Sequence, residues 1–241
     1  MTLPSVSADR TDGHPAINAV ILDYGLVLVS SPTAEEFGRM GKMFNLSVDS
    51  FYELWEASRG PYDRGDFSAE EYWLKLASQT NTTLDAKQIE ILREIEVEIW
   101  IHPIPGMLAW LDQLHAARIK TGLLSNMPWD LANYVRANFQ WLEKFSFVTL
   151  SAEVGMIKPD AAIYEHTLRG LGVSAAETLF IDDREPNIRA ARALGMRAIQ
   201  FRSIAQLKRE LEAMGFPVLP AASSAAASGP DDNQEKFSAL L

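Results

Sequence analysis

Two short apolar runs that end in aspartate constrain the fold of this chain most strongly. Val20–Leu22 leads into Asp23, and Phe180–Ile181 leads into Asp182 and Asp183. An apolar run of this length between helical patterns predicts a buried strand of a parallel sheet. The carboxylates then lie at the carboxyl ends of the strands, where open α/β sheets bind ligands. Because three aspartates together cannot all stay ionised without a cation, the runs predict a magnesium site.

Strand and helix patterns alternate from residue 102 onwards. After a first strand at Ala19–Leu22, the predicted strands are Lys120–Leu124, Phe147–Leu150, Thr178–Ile181 and Arg197–Phe201. The helices predicted around them are Met107–Ala116, Pro128–Asn138, Asp160–Leu171, Pro186–Leu194 and Ile204–Met214. Such alternation predicts an α/β fold, with a mostly parallel sheet covered by helices on both faces.

Residues 30–101 have a different pattern, without a convincing strand. Apolar residues recur there at the spacing of one helix face, as in Val48, Phe51, Tyr52 and Trp55. The stretch from Ser68 to Glu71 fits a capping box that opens a further helix. The sequence therefore predicts a helical block inserted after the first strand.

These patterns divide the chain into a core, an insertion and two tails. We expect an α/β core formed by residues 18–29 and 102–219, with a helical insertion at 30–101. The tails 1–17 and 220–241 are predicted to be disordered, and the second is rich in Ala, Ser, Asp and Gly.

Composition excludes several classes of protein. The chain has no cysteine, which excludes disulfides, thiol catalysis and cysteine-ligated metal sites. Its net charge of -10 argues against nucleic-acid binding, which relies on clustered lysine and arginine. No apolar run approaches the roughly 20 residues that span a bilayer, and residues 1–17 do not resemble a signal peptide. We expect a cytoplasmic protein without nucleic-acid or membrane partners.

Four loops that follow predicted strands carry polar and charged side chains that could take part in chemistry. In chain order they contain Asp23-Tyr24-Gly25, Ser125-Asn126, Lys158-Pro159 and Asp182-Asp183. Each taken singly has an ordinary structural explanation, such as a turn, a helix cap or a solvated cation. All four in this order, at the ends of successive strands, favour one shared active site.

The same four segments resemble the haloacid dehalogenase-like hydrolase superfamily. The best-matched parts are Val20–Leu28, Gly122–Asn126, Gly155–Tyr164 and Leu179–Met196. The resemblance is greatest to sugar-phosphatase-like members with a helical cap, and it implies that residues 30–101 form this cap. It implies a three-layer, Rossmann-like core and a magnesium-dependent phosphatase that forms an aspartyl-phosphate. The implied substrate is a small phosphorylated metabolite, with a sugar phosphate favoured.

The resemblance also implies a role for each site residue. Asp23 is the nucleophile, and Lys158 pairs with both Asp23 and the phosphate. Ser125 and Asn126 hold phosphate oxygens. The implied magnesium ligands are Asp23, the Gly25 carbonyl, and Asp183 or Asp182. For Asn187, a hydrogen bond at a helix start and a supporting role in the site are equally open.

Gly25 departs from the superfamily pattern. Most of its phosphatases have a second aspartate there, which protonates the leaving group and then activates water, a contribution of typically ~10²–10⁴-fold. Glycine cannot transfer a proton, and it also permits a backbone angle that aspartate resists. The candidate substitutes are Asp63, Arg64, Asp66 and His102.

Two alternative functions follow from this departure. Haloacid dehalogenases also lack the second aspartate, but they need no metal, and acids kept at Asp182 and Asp183 without magnesium would repel Asp23. The second alternative is a binding or regulatory protein with weak catalysis, against which the intact set of Asp23, Lys158 and Asp183 argues. The sequence does not identify the substrate or the oligomeric state.

Overall fold

A five-stranded parallel sheet forms the centre of the protein, whose structure, a computed structural model, describes residues 15–221. The strands are β1 (Ala19–Leu22), β2 (Lys120–Ser125), β3 (Phe147–Leu150), β4 (Thr178–Asp182) and β5 (Arg197–Gln200). Their order is β3-β2-β1-β4-β5, and every neighbouring pair is parallel. The predicted parallel α/β sheet is confirmed, and each strand lies within one residue of its predicted bounds.

Helices cover both faces of this sheet. Those that follow the insertion are α5 (Pro105–Ala116), α6 (Trp129–Asn138), α7 (Ser151–Val154), α8 (Ala161–Leu171), α9 (Glu185–Ala193) and α10 (Ile204–Ala213). Val20 and Leu22 of β1 pack on the side of α5 and α10, whereas Ile21 between them packs on the side of α8 and α9. Because successive strand residues point to opposite faces, this alternation produces the three-layer, Rossmann-like arrangement.

Residues 30–101, between β1 and α5, form four helices. These are α1 (Ala34–Met43), α2 (Val48–Asp63), α3 (Ala69–Gln79) and α4 (Ala86–Glu98). The capping box predicted at Ser68 is present, and similar boxes open α1 at Thr33 and α4 at Asp85. The four helices bury their own apolar cluster, which includes Phe37 and Trp73. We call residues 30–101 the helical insertion; its role as a cap stays a prediction.

The helical insertion is joined to the rest of the protein by polar contacts. Tyr24 donates a hydrogen bond of 2.6 Å to the Trp100 carbonyl. On the opposite side, Arg93 of α4 forms an ion pair of 2.7 Å with Asp130 of α6. These contacts attach the end of the helical insertion and α4 to the core.

Two sequence predictions concern regions at or beyond the described residues. The predicted disordered tails, 1–17 and 220–241, lie almost wholly outside residues 15–221 and stay predictions. Within the described part of the chain, no helix combines the length and the apolar character required to cross a membrane. The cytoplasmic location also stays a prediction.

Candidate active site

The topology of the sheet brings the four predicted loops to one place. The chain runs outward from β1 to β2 and β3, and then returns to β4 on the other side of β1. The strand order therefore reverses between β1 and β4, which is where open α/β sheets bind ligands. Asp23, Ser125, Lys158 and Asp183 line a single cavity at this point.

Asp23 lies at the centre of the cavity and is 7% exposed. Its Oδ1 accepts a hydrogen bond of 2.7 Å from the Tyr24 amide and lies 2.8 Å from Lys158 Nζ. Burial raises the pKa of the Asp23 carboxyl well above its usual range; Lys158 opposes this, and Asp182 and Asp183 add to it. In the metal-free protein the ionised carboxylate is thus disfavoured, and a cation would restore it.

Lys158 bridges two carboxylates in the interior. Its ammonium group lies 2.6 Å from Asp182 Oδ2 as well as 2.8 Å from Asp23 Oδ1, and the residue is 4% exposed. Burial acts to lower the pKa of Lys158, but Asp182 and Asp23 outweigh it, so the net pKa is raised. Lys158 is therefore held in its charged form next to the predicted nucleophile.

Asp182 is fully buried and surrounded by donors. Besides Lys158, it accepts hydrogen bonds from the Arg184 amide at 2.8 Å and from Asn187 Nδ2 at 2.9 and 3.0 Å. These contacts occupy its oxygens and fix Lys158. Asn187 lies in the first turn of α9, and its side chain donates to Asp182. Of the two possibilities left open for Asn187, this contact favours the supporting role in the site.

Asp183 borders the cavity, whereas Asp182 lies behind it. Oxygen atoms of Asp23, Asp182 and Asp183 lie within 4.8 Å of one another. Burial, followed by repulsion from Asp182, raises the pKa of the Asp183 carboxyl to about 7. Three clustered carboxylates with only one lysine among them leave negative charge that a divalent cation with few protein ligands can balance. The donor set therefore fits magnesium. The bonds that occupy Asp182 make Asp183 the better candidate ligand of the two.

The loop after β2 places Ser125 and Asn126 beside Lys158. Ser125 is 2% exposed, and its hydroxyl lies 3.5 Å from the Asn126 carbonyl, which is longer than an ordinary O–H···O bond. Asn126 Nδ2 donates to the Lys158 carbonyl at 2.9 Å, and its Oδ1 accepts from the Lys158 amide at 2.8 Å. The Ser125 hydroxyl is available to a phosphate oxygen. Asn126 mainly holds the Lys158 backbone, with one N–H left for a ligand.

Gly25 lies two residues after Asp23, and its backbone conformation is one that other residues can adopt. The positive φ in this loop belongs to Leu26, at 59°, and not to Gly25. A Cβ atom at Gly25 would instead lie 3.3 Å from the Trp100 ring. The expectation of a special backbone angle at Gly25 was therefore wrong. The Trp100 indole fills the space into which a side chain at this position would extend.

Helix α2 supplies the side of the cavity opposite the strands. Its lining residues are Tyr52, Trp55, Glu56, Arg59 and Asp63. Apart from Asp63, the sequence analysis did not identify them as site residues. Their spacing of three and four residues places them on one helix face. Charged residues interrupt the apolar stripe on this face, and that interruption is the sequence signal that could have identified them.

The four candidate substitutes for the missing aspartate have different environments. Asp63 lines the cavity. Arg64 and Asp66 pair with each other on the surface, and His102 is exposed. None of these last three residues lines the cavity.

Comparisons with known proteins agree with this geometry. The chain matches the haloacid dehalogenase-like hydrolases over residues 7–195. It is 30% identical over 145 residues to the sesquiterpene phosphatase astK of Aspergillus oryzae, covering 60% of this chain and 70% of that protein. It is 25% identical over 200 residues to the drimenol cyclase drtB of Aspergillus calidoustus, covering 81% of this chain but 36% of that protein.

The fold is also that of a solved enzyme. A haloacid dehalogenase family enzyme of Bacteroides thetaiotaomicron, crystallised with magnesium and inorganic phosphate, superposes with a TM-score of 0.62 at 23% identity. The superposition covers 78% of this chain and 95% of that enzyme. With a family match over most of its length, a shared fold and the four loops assembled in one cavity, this chain belongs to the haloacid dehalogenase-like hydrolases.

Proposed function

We propose that this protein is a magnesium-dependent phosphatase that acts through an aspartyl-phosphate on Asp23. The observation that carries the proposal is the buried arrangement of Asp23, Lys158 and Asp182, with Asp183 at the cavity edge. It supplies a nucleophile, a fixed cation and an acidic pair, which are the parts that phosphoryl transfer requires.

In the first step, the Asp23 carboxylate attacks phosphorus and the bond from phosphorus to the ester oxygen breaks. Lys158, the Ser125 hydroxyl and the remaining N–H of Asn126 hold the phosphoryl oxygens. Asp23, Asp183 and the Gly25 carbonyl would hold magnesium, which when bound neutralises charge on the phosphoryl group. Water then attacks phosphorus, and inorganic phosphate leaves Asp23 in its original form.

Asp182 has a different role in this proposal. Because Lys158, Asn187 and the Arg184 amide already occupy its oxygens, it positions Lys158 and does not bind the metal directly. Asn126 fixes the same lysine from its backbone side. The phosphate-binding cation is thus preorganised, so little reorganisation is needed when charge develops on the phosphoryl group.

The two alternatives remain less well supported. A dehalogenase needs no metal ion beside its nucleophile, yet without one Asp182 and Asp183 both raise the pKa of Asp23 and disfavour its attacking form. A purely binding or regulatory protein would not require Lys158 to be held between two carboxylates. Neither alternative accounts for the acidic pair as directly as a magnesium-dependent phosphatase does.

The substrate is proposed only as a class, a small phosphorylated metabolite. A sugar phosphate stays our prediction from the sequence. The side chains that line the cavity include Tyr52, Trp55, Trp100, Leu26 and Leu131, which favour a leaving group with apolar surface. Because one relative is named a sesquiterpene phosphatase, a prenyl phosphate is the second candidate.

A substrate panel tests the proposal. Purified protein is incubated with sugar phosphates, prenyl phosphates and a 2-haloacid, each with magnesium and with a chelator, while phosphate and halide release are measured. We expect phosphate release that requires magnesium and is lost in Asp23→Asn. Halide release without metal would establish the dehalogenase alternative. Magnesium binding without any turnover would favour the binding protein.

A further inference from the structure

The cavity contains two carboxylates beyond the acidic cluster of Asp23, Asp182 and Asp183. These are Glu56 and Asp63, both on α2. Glu56 forms an ion pair with Arg184 at the cavity wall. Its side chain is therefore committed to a contact between the helical insertion and the core. Asp63 faces the same cavity from the last turn of the helix.

Asp63 is buried, yet one of its oxygens is incompletely satisfied. Arg59 Nε donates to Asp63 Oδ2 at 3.3 Å. Arg59 Nη2 lies 2.5 Å from Oδ1, but no described residue makes a directed hydrogen bond to that oxygen. Arg59 is shared with Glu96 of α4, which is fully buried. Asp63 thus has a fixed orientation, and its Oδ1 is buried beside Arg59 without a directed hydrogen bond.

The electrostatic surroundings of Asp63 suit proton transfer near neutral pH. Burial raises the pKa of its carboxyl to about 6, Arg59 opposes this, and Glu96 and Glu56 add to it. A group with a pKa close to the working pH can both donate and accept a proton in one catalytic cycle.

The backbone of Asp63 is tied to the phosphate-binding loop. Ser151, which follows β3, donates its hydroxyl hydrogen to the Asp63 carbonyl. The same Ser151 oxygen accepts a hydrogen bond of 2.8 Å from the Met127 amide. Met127 directly follows Ser125 and Asn126. One serine hydroxyl therefore connects Asp63 to the loop that is proposed to hold the phosphate, which fixes the end of α2 relative to that loop.

We propose that Asp63 is the general acid and base that replaces the aspartate missing at Gly25. This inference rests on the proposed phosphatase function. In the first step, Asp63 donates its proton to the ester oxygen as the bond from that oxygen to phosphorus breaks. In the second, Asp63 accepts a proton from the water that attacks the aspartyl-phosphate, so that it ends each cycle protonated. The leaving alcohol and inorganic phosphate carry away the atoms of substrate and water.

The test compares Asp63→Asn with wild type on leaving groups of different basicity. An alkyl phosphate needs a proton on its leaving oxygen, whereas p-nitrophenyl phosphate does not. We expect Asp63→Asn to lower kcat/KM for the alkyl phosphate by ~10²–10⁴-fold and to leave kcat/KM for p-nitrophenyl phosphate almost unchanged. A burst of p-nitrophenolate should also appear, because the aspartyl-phosphate then accumulates.

Asp66→Asn is the matched control. Asp66 lies three residues further along and pairs with Arg64 on the surface, outside the cavity. It should behave as wild type with both substrates. An equal loss on both substrates in Asp63→Asn would show that Asp63 acts only through packing or positioning, and unchanged kinetics would show that it has no role. Either result overturns the proposal.

Wild-type measurements keep the proposal testable if Asp63→Asn does not fold. With a general acid in place, kcat/KM for a series of phosphate esters should depend only weakly on the basicity of the leaving group. A steep dependence in wild type overturns the role of Asp63. Failure of the phosphatase proposal is recognised separately, because wild type would then release no phosphate from any ester with magnesium.

Discussion

Asparagine in place of Asp182 should destabilise the protein, whereas the same change at Asp183 should stabilise its metal-free form. The two residues are adjacent and carry the same charge. They differ in their contacts, since Asp182 accepts hydrogen bonds from Lys158, Arg184 and Asn187, while Asp183 borders the cavity. Opposite responses to one substitution would distinguish a positioning carboxylate from a metal ligand.

The magnitudes follow from these contacts. Loss of one partner of a buried ion pair costs about 3–5 kcal/mol. Weaker repulsion toward Asp23 and Asp183 offsets part of that cost, leaving a destabilisation of about 2–3 kcal/mol for Asp182→Asn. For Asp183, a pKa raised to about 7 means that folding disfavours the ionised carboxylate by up to about 4 kcal/mol. Asp183→Asn should recover about 1–4 kcal/mol at pH 7.

Urea denaturation with a chelator present measures both free energies of unfolding. With a slope of about 2–3 kcal/mol per M, the midpoint should fall by about 1 M in Asp182→Asn and rise in Asp183→Asn. Magnesium at about 100 times its dissociation constant should add about 2.7 kcal/mol to wild type but little to Asp183→Asn. Midpoints that shift in the same direction in both variants would refute the division of roles.

Three further predictions concern other parts of the site. In Asn126→Ala, loss of both bonds to the Lys158 backbone should lower the free energy of unfolding by about 2–4 kcal/mol and reduce phosphatase activity; wild-type values in denaturation and kinetic assays would contradict this. The raised pKa of Asp183 should make the metal-free protein less stable as pH rises from about 4 to about 7, because the folded state keeps a proton that the unfolded chain has lost. The raised pKa values of Asp23 and Asp63 add slopes of the same sign, so the urea midpoints of Asp183→Asn should fall less steeply with pH than those of wild type, and an equal slope would contradict this. Gly25→Asp should lower the melting temperature without raising kcat, since its Cβ would lie 3.3 Å from the Trp100 ring. A rise in kcat would contradict this and would show that the Trp100 ring moves to accommodate the new side chain.

Local patterns were sufficient to predict the sheet and the loops that carry its chemistry. Apolar runs such as Val20–Leu22 are continuous because both faces of a parallel strand are buried, and this signal does not depend on distant contacts. Asp23, Ser125 and Asp183 follow such runs directly, so the strands themselves determine where these residues lie. The parallel order then brings them to one edge of the sheet.

The parts that could not be predicted depend on how the helical insertion packs over the sheet. Pro61 would ordinarily end a helix, yet α2 continues to Asp63, and this last turn carries Asp63 to the cavity. The position of Trp100 against Gly25 likewise follows from the path by which the chain returns from the insertion. The contact of Trp100 with Gly25 has no local sequence signal, and the sequence named Asp63 only as one of four candidate substitutes.

The sequence did not predict that Asn126 supports Lys158, and it left the role of Asn187 open. An asparagine after a strand or at a helix start has several possible partners within its own loop. Here Asn126 bonds to the Lys158 backbone, 32 residues away, and Asn187 bonds to Asp182. The partner of Asn126 depends on tertiary placement, because two distant loops must meet, whereas Asn187 finds its partner five residues away at the other end of its own loop.

Covalent phosphorylation of Asp23 is the event on which the proposed function depends most directly. The measurement is rapid acid quench of the protein during turnover of a phosphoester with magnesium, followed by mass spectrometry of the peptide that contains Asp23. Wild type should carry one added phosphoryl group on Asp23, and Asp23→Asn should carry none and release no phosphate. Release of phosphate by Asp23→Asn at the wild-type rate, or turnover in wild type with no phosphorylated Asp23, would contradict the proposed mechanism.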